Sequence, residues 1–310
     1  MTLRALFDLP APAKLNLFLH VTGRRPDGYH LLQSVFVPID WQDRLHLLLR
    51  EDGELAREDL GETLPPEDLC LQAARALRQA TGCRLGATIR IEKVLPSGAG
   101  LGGGSSDAAT VLIGLNRLWQ TGLDRTQLAR IALSLGADVP FFIHGQPAWV
   151  EGVGERITPI SLPPLGLAVV KPAASLPTAA IFTAPDLVRD SEVAILLGFP
   201  ERDLAAPGTG TSGVPAQRVS LQDIADGFGR NDLQAVAERL EPQVVHALRQ
   251  MSQAFGNSRM TGSGSAVFSR VSAHPGVAVA PQMPFDLPAG WVGRMCRSLE
   301  AHPLRDWVED

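Results

Sequence analysis

The chain has 310 residues, of which 45% are hydrophobic and 20% charged, and its formal net charge is −5. This composition is typical of a globular protein long enough for two domains, and the lack of a basic cluster argues against nucleic acid as the main partner. No apolar run reaches the length of a membrane span, residues 1–10 lack the pattern of a signal peptide, and the three cysteines are widely spaced. We therefore expect a cytoplasmic protein with neither a membrane partner nor a zinc site.

The first half of the chain alternates strand patterns with helix patterns. Between residues 13 and 21 every second residue is apolar, which predicts a strand with Lys14 and Asn16 on its other face. Residues 51–66 are polar, and we expect them to be irregular. The periodicities predict strands at 13–21, 35–39 and 44–50, the last two joined by a short loop at Asp43, then a helix at 67–80, a strand at 87–94, helices at 105–119 and 126–135, and a short strand within 148–154.

The most informative segment follows the strand at 87–94. It reads Pro-Ser-Gly-Ala-Gly-Leu-Gly-Gly-Gly-Ser-Ser from residue 96 to residue 106, and a helix pattern follows it. Glycine leaves backbone N–H groups accessible, and the free N–H groups and the dipole at a helix N-terminus favour an anion. The segment therefore predicts a site for the phosphates of a nucleotide. At Gly103 we expect a β-branched residue to block the approach of phosphate and to resist a positive φ.

Other interpretations of this glycine-rich segment fit less well. The Walker pattern requires a lysine after the glycines, and none follows here. The dinucleotide pattern Gly-x-Gly-x-x-Gly can be matched only loosely. A flexible linker is the common role of Gly/Ser-rich segments, but this one is short and lies between a strand pattern and a helix pattern.

The second half mixes short strands and helices without strict alternation, which favours an α+β fold. A second glycine motif, Thr-Gly-Ser-Gly-Ser, occupies residues 261–265. Residues 205–217 and 275–289 are rich in glycine or proline and are predicted to be loops. The remaining predicted elements are a strand at 165–170, the start of a helix at 177–182, two helices within 231–255 divided at Pro242, a strand after the second glycine motif, and an edge strand at 291–296.

Five segments together resemble one protein family. The loop at 96–106 resembles the nucleotide loop of the GHMP kinases, a superfamily that includes galactokinase, homoserine kinase, mevalonate kinase and phosphomevalonate kinase. The segments at 12–19 (Pro-Ala-Lys-x-Asn-Leu-x-Leu), 27–30 (Asp-Gly-Tyr-His) and 136–142 (Gly-Ala-Asp-Val-Pro-Phe-Phe) narrow the resemblance to the kinases of 4-diphosphocytidyl-2-C-methyl-D-erythritol. The motif at 261–265 resembles the third GHMP motif, and all five segments occur in the expected order.

This resemblance implies a fold, a reaction and its partners. The fold would be the two-domain GHMP kinase fold, with a ribosomal-protein-S5-like domain at 1–155, a ferredoxin-like domain at 156–310 and the active site between them. The reaction would be phosphorylation of the 2-hydroxyl of the erythritol moiety by ATP and Mg²⁺, in non-mevalonate isoprenoid precursor synthesis. The partner would be a small-molecule substrate with a cytidine diphosphate group, and we expect a monomer or a weak homodimer.

The resemblance also implies roles for individual residues. Lys14 and Asp138 would be the catalytic pair. Tyr29, His30 and Phe182 would bind the cytosine, and Asn16 would reach the erythritol end. The ATP-binding residues would be Pro96, Ser97, Gly98, Ala99, Gly100, Leu101, Gly102, Gly103, Gly104, Ser105 and Ser106, with Ser106 as the metal ligand.

The residues themselves leave several roles open. Asp138 lies in an apolar, proline-braced segment that suits a general base, but a turn aspartate fits this position equally well. Ser105 or Ser106 would ligate the metal, or either would cap the helix that follows, and Asp107 would interact with the dipole of that helix. Only three of the 28 cationic residues are lysines. Of these we expect Lys93 to lie at the surface and assign no role to Lys171.

Two further functions remain as alternatives. One is another GHMP kinase that acts on a small alcohol such as mevalonate or homoserine. Such a substrate has no nucleobase on which the side chain of Tyr29 could stack, which argues against this alternative. A non-catalytic nucleotide-binding regulator on the same fold would not require Lys14 and Asp138, and both are present.

Overall fold

The structure is a computed structural model that describes residues 3–199, 216–271 and 282–310. The predicted loop at 205–217 lies outside the described residues except for Ala216 and Gln217, which begin a strand. The predicted loop at 275–289 is described only from residue 282 onward, and that part contains no helix or strand. Among the described helices, none has the length and apolar character needed to cross a membrane.

The described part of the chain contains strands, α-helices and one short 3₁₀ helix at Arg305–Trp307. The strands are β1 (Ala5–Arg24), β2 (His30–Arg50), β3 (Leu55–Asp59), β4 (Gly86–Glu92), β5 (Ala148–Gly152), β6 (Arg156–Pro159), β7 (Gly166–Lys171), β8 (Val193–Leu196), β9 (Ala216–Val219), β10 (Arg259–Met260), β11 (Val267–Val271) and β12 (Val292–Arg297). The helices are α1 (Leu69–Thr81), α2 (Gly103–Leu118), α3 (Arg125–Leu133), α4 (Val139–His144), α5 (Thr178–Phe182), α6 (Leu221–Asp226), α7 (Gln234–Leu240) and α8 (Pro242–Phe255).

Contacts divide the chain into two compact units that alternate along the sequence. The first unit comprises Met1–Leu15, Val37–Pro147 and Cys296–Asp310, and the second comprises Asn16–Phe36 and Ala148–Met295. β1 and β2 each contribute residues to both units, so no single position in the sequence divides them. The domain division at residue 155 stays a prediction.

In the first unit, helices pack on a small sheet. The second half of β2 pairs antiparallel with β4, from Arg44 opposite Glu92 to Arg50 opposite Gly86, and β3 lies parallel to β4. α2 is buried on nearly all sides. It approaches the sheet at Gly114, where an added Cβ would come within 2.4 Å of Leu47. This close packing holds α2 against the sheet.

In the second unit, a four-stranded sheet has the order β10-β11-β7-β12, so β12 is at an edge as predicted. β11 and β7 pair antiparallel, and α8 packs against β11. The two helices predicted within 231–255 are α7 and α8, divided at Pro242 as expected. In the same unit, the first half of β2 pairs with β5, and β5 pairs with β6.

Two local predictions for the first half of the chain are wrong, and one short helix, α4, was not predicted. The strands predicted at 35–39 and 44–50 are one strand, β2, and Asp43 is not in a loop but fully buried within it. The segment predicted to be irregular, 51–66, contains β3. α4 has only six residues, too few for its periodicity to be recognised in the sequence. Asp43 ended the predicted strand because a charged residue is rarely buried without a partner.

Candidate active site

The glycine-rich loop connects the end of β4 to the start of α2. Three of its glycines have positive φ angles, namely Gly98 (61°), Gly100 (73°) and Gly102 (72°). The loop lines a cavity of about 380 Å³, which lies in the size range of small-molecule sites. The other lining residues are Leu64, Asp68, Leu69, Cys70, Lys93, Leu95 and Asp107.

The N-terminus of α2 is open to an anion. Its N-cap residue is Gly102, and within the described part of the chain no side chain accepts a hydrogen bond from the first turn. The prediction that Ser105 or Ser106 caps this helix is therefore wrong. Gly103 does not have a positive φ, because the left-handed conformation occurs one residue earlier, at Gly102.

Lys14 and Asp138 lie together beside this loop. Lys14 Nζ is 3.5 Å from Asp138 Oδ2, and the side chain of Lys14 is 4% exposed whereas that of Asp138 is 34% exposed. The backbone N–H of Lys14 donates to the carbonyl of Leu101 at 2.9 Å, which joins β1 to the glycine-rich loop. An added Cβ at Gly102 would lie 3.1 Å from the side chains of both Lys14 and Phe142. Glycine at this position thus allows the lysine to approach the loop.

Asp138 immediately precedes α4, but it does not serve that helix as a cap. Its φ and ψ are −83° and −18°, and its side chain makes no capping hydrogen bond within the helix described. Pro140 stabilises the first turn because its fixed φ suits a helix start. The carboxylate is therefore held at a partly exposed helix start, within reach of Lys14.

A buried ion cluster behind the loop was missed by the sequence analysis. Lys93 Nζ donates to the carboxylates of both Asp43 and Asp107, the latter at 2.6 Å. Asp43 Oδ1 also accepts the backbone N–H groups of Val94 and Leu95, at 2.6 and 2.7 Å. We call Asp43, Lys93 and Asp107 the Lys93 cluster. It ties β2, the start of the loop and α2 to one another.

The Lys93 cluster corrects two predictions. Lys93 is not at the surface, since its side chain is 9% exposed, and Asp107 lies inside α2 rather than at its N-terminus. Burial raises the pKa of Asp107 to about 8. The negative charge of Asp43 contributes to this rise, whereas the positive charge of Lys93 opposes it. Burial lowers the pKa of Lys93, but the two carboxylates raise it by more. The scarcity of lysine was a signal for this residue, because an ammonium suits a compact buried site.

In the second unit, His30 and Phe182 lie next to each other. Their ring centroids are 5.2 Å apart at an interplanar angle of 34°. Arg189 Nε donates to His30 Nε2 at 3.1 Å. Burial, followed by the charges of Arg189 and Arg24, lowers the pKa of His30. Arg189 is a second residue that the sequence analysis missed.

Tyr29 and Asn16 differ sharply in their environments. The side chain of Tyr29 is 65% exposed, as a residue that stacks on a ligand requires. Asn16 is buried, its Nδ2 donates to Ser34 at 3.0 Å, and its backbone N–H donates to Thr261 Oγ1 at 2.8 Å. The third predicted motif, which contains Thr261, thus contacts the predicted substrate residue Asn16 within the same unit.

Lys171, which had no predicted role, stabilises the backbone that follows it. Its Nζ donates to the carbonyl of Ala174 at 2.8 Å and lies 3.4 Å from Ser175 Oγ. Burial lowers its pKa. Ser265 in the third motif donates to the same carbonyl of Ala174 at 2.5 Å.

Comparisons with known proteins show the family to which the chain belongs. Residues 68–146 match the family model of the GHMP kinases N terminal domain. The 4-diphosphocytidyl-2-C-methyl-D-erythritol kinase of Paracidovorax citrulli (strain AAC00-1) is 52% identical over 99% of this chain and 99% of its own length. The chain belongs to the 4-diphosphocytidyl-2-C-methyl-D-erythritol kinase family. The protein of the same name from Methylibium petroleiphilum (strain ATCC BAA-1232 / LMG 22953 / PM1) is also 52% identical, over 99% of this chain and 100% of its own length.

Solved structures place the family within a wider fold group. The crystal structure of a 4-(cytidine 5'-diphospho)-2C-methyl-D-erythritol kinase matches with a TM-score of 0.65 and 34% identity, over 86% of this chain and 91% of that one. A homoserine kinase from Cytophaga hutchinsonii matches with a TM-score of 0.62 at 14% identity, over 88% of this chain and 87% of that one, which shows the fold alone. The predicted α+β, two-domain GHMP kinase fold is confirmed, and the chain is an ATP-dependent kinase.

The residues around the loop fit a magnesium ion that is held mainly by a nucleotide. Among the described residues there is no group of three or more His, Cys, Asp or Glu side chains able to hold a metal. Ser106 Oγ is buried and finds no hydrogen-bond partner in the described part of the chain. Ser105, but not Ser106, lines the cavity. Magnesium in kinases commonly takes few protein oxygens and several phosphate oxygens, so a single serine hydroxyl suffices.

Proposed function

We propose that this kinase transfers the γ-phosphoryl group of ATP to the 2-hydroxyl of 4-diphosphocytidyl-2-C-methyl-D-erythritol, in non-mevalonate isoprenoid precursor synthesis. The observation that carries the proposal is the pairing of Lys14 with Asp138 at 3.5 Å beside the glycine-rich loop. The relatives that are 52% identical over nearly the full chain and bear this substrate in their names support the choice of alcohol.

Asp138 is the proposed general base. Its carboxylate is partly exposed and is not used as a helix cap, so it can accept the proton of an attacking hydroxyl. Lys14, almost fully buried beside it, supplies a fixed positive charge for the negative charge that develops during transfer. Phosphoryl transfer depends mainly on positioning and charge stabilisation, and these two residues provide both.

ATP is proposed to bind with its phosphates at residues 96–106, against the N-terminus of α2. The uncapped N–H groups of this helix and the left-handed glycines before it support this assignment. Magnesium would be held by Ser106 or Ser105 and would neutralise charge on the phosphates.

The substrate is proposed to bind through residues of the second unit. Tyr29 and Phe182 would stack on the cytosine, His30 would hydrogen-bond to it, and Asn16 would orient the erythritol end. The exposure of Tyr29 and the contact between His30 and Phe182 support the first three assignments. Asn16 is engaged with Thr261 and Ser34, so it would act from a fixed position.

A coupled ADP-release assay tests this function. The purified protein is offered 4-diphosphocytidyl-2-C-methyl-D-erythritol, mevalonate or homoserine with ATP, and each reaction is repeated with EDTA. We expect ADP release only with 4-diphosphocytidyl-2-C-methyl-D-erythritol, and we expect EDTA to abolish that release. Turnover of mevalonate or homoserine at a comparable kcat/KM would contradict the proposed substrate.

A further inference from the structure

Arg189 donates hydrogen bonds both to the side chain of His30 and to the backbone at the end of α5 and just after it. Its Nε donates to His30 Nε2 at 3.1 Å. Its remaining N–H groups donate to the backbone carbonyls of Leu187 at 2.9 Å, Ala184 at 2.6 Å and Phe182 at 3.3 Å. One guanidinium thus fixes both the imidazole and the backbone of the residue whose ring packs against it.

This contact determines which nitrogen of His30 carries hydrogen. A guanidinium has donors only, so Nε2 of His30 must accept. A neutral imidazole has one acceptor and one donor, and the hydrogen is therefore on Nδ1. The charged groups that face the ring are Arg189 and Arg24, and together with burial they favour the neutral form by lowering its pKa.

We propose that Arg189 is a positioning residue for base selection, which holds His30 as a neutral Nδ1–H donor so that the site accepts cytosine and rejects uracil. The inference rests on the proposed function, in which His30 hydrogen-bonds to the pyrimidine. N3 of cytosine is an acceptor and pairs with such a donor. N3 of uracil carries a hydrogen, so two donors would face each other and both would lose a partner.

The tautomer is measured first, in the wild-type protein. Histidines are labelled with ¹⁵N, and the His30 signals are assigned by their loss in His30→Gln. We expect the pattern of a neutral ring protonated at Nδ1 at pH 7.5. A ring protonated at Nε2, or a charged ring at pH 7.5, would overturn the proposal whatever the enzyme turns over.

The second measurement compares substrates that carry cytidine and uridine. In Arg189→Met we expect the ratio of kcat/KM for cytidine over uridine to fall about tenfold or more, the scale of one unpaired buried group. The change should appear in KM for the cytidine substrate, with kcat nearly constant, and the His30 spectrum should shift toward Nε2–H. Arg189→Lys keeps a donor and should restore part of the ratio.

Arg239→Met is the matched control. Arg239 is in the same unit and pairs at the surface with Asp186 at 2.7 Å. Its loss should leave both the ratio and the His30 spectrum unchanged. An unchanged ratio in folded Arg189→Met would overturn the proposal. Failure of the wild type to phosphorylate either substrate would instead count against the proposed function, because the wild-type spectrum tests the tautomer independently.

Discussion

At the scale of single residues, Gly102 has closer surroundings than Gly103 and Gly104, the two glycines that follow it. Its φ is +72°, and an added Cβ would lie 3.1 Å from Lys14 and Phe142. A left-handed conformation costs other residues about 1–2 kcal/mol, and the overlap would displace Lys14 as well. At Gly103 an added Cβ would make only ordinary contacts, at 3.4 Å or more. We therefore expect a substitution at Gly102 to impair the loop more than one at Gly103.

We therefore expect Gly102→Ala to lower kcat/KM for ATP about tenfold or more, because both the loop and Lys14 must shift. The measurement is steady-state kinetics with circular dichroism as a check of folding. Gly82→Ala is the control, since Gly82 has a φ of +67° at the end of α1 with open space around it. That variant should lose stability but keep its kinetics. Equal kinetic effects in both variants would mean that backbone strain alone is responsible.

Asp138 allows a second test at this scale. Asp138→Asn should lower kcat by about 100-fold or more, the usual scale for loss of a positioned base, and leave ATP binding nearly unchanged. Asp138 does not cap α4, but its carboxylate pairs with the buried ammonium of Lys14, so the variant should also unfold at a lower temperature than the wild type. Kinetics, ATP titration calorimetry and thermal unfolding together check this. Near-normal turnover in a folded variant would contradict the role of general base.

At the scale of elements, the Lys93 cluster connects β2 to the loop between β4 and α2. Asp43 accepts hydrogen bonds from the backbone of Val94 and Leu95 as well as from Lys93. This buried carboxylate accepts hydrogen bonds from three donors and so fixes the backbone where the glycine-rich loop begins. Its removal would leave part of the Lys93 charge uncompensated in the interior.

Asp43→Asn should therefore lower the free energy of unfolding by about 3 kcal/mol, the scale for breaking a buried ion pair. It should also raise KM for ATP, because the loop loses an anchor. Urea unfolding and ATP kinetics give the two values. The matched control is Glu58→Gln, which removes a carboxylate from an exposed pair with Arg90 and should change stability by less than about 1 kcal/mol. Similar losses in the two variants would show that burial of the Lys93 cluster contributes little.

At the scale of the whole molecule, buried histidines make stability depend on pH. Burial lowers the pKa of His302 to about 4, and its Nδ1 accepts the N–H of Leu304 at 3.1 Å. An unfolded histidine has a pKa near 6.5. Between these values the unfolded chain binds a proton that the folded chain does not, so the free energy of unfolding decreases as the pH falls.

We expect His302 to contribute up to about 1.4 kcal/mol per pH unit to this decrease between pH 6.5 and pH 4. His302→Asn keeps an acceptor for Leu304 and should flatten the pH dependence in that range. Burial also lowers the pKa of His20 and His144, so part of the slope should remain. Unfolding is measured by urea at several pH values, with Cys296→Ala as a destabilised variant that retains His302. An unchanged slope in His302→Asn would contradict the assignment.

The sequence by itself determined the features that depend on neighbours along the chain. Five glycines before a helix pattern indicated an anion site, and the structure has left-handed glycines and an uncapped helix there. The divided helices at Pro242 and the edge strand at the end of the second unit were predicted because turn residues and periodicity are local signals. The order of the five motifs indicated the family, which the relatives confirm. The roles of Lys14, Asp138 and the other site residues stay predictions.

Only the tertiary structure decided which charged residues are buried and what they contact. Asp43 interrupts an apolar pattern, and the sequence shows no reason for a carboxylate inside a strand. The reason is Lys93, which is distant in the chain and reaches Asp43 because β2 and β4 pair. Arg189 is likewise an ordinary arginine in the sequence, and its contact with His30 exists because the fold joins two distant segments. Burial and long-range pairing depend on all elements at once, so local patterns could not predict either residue.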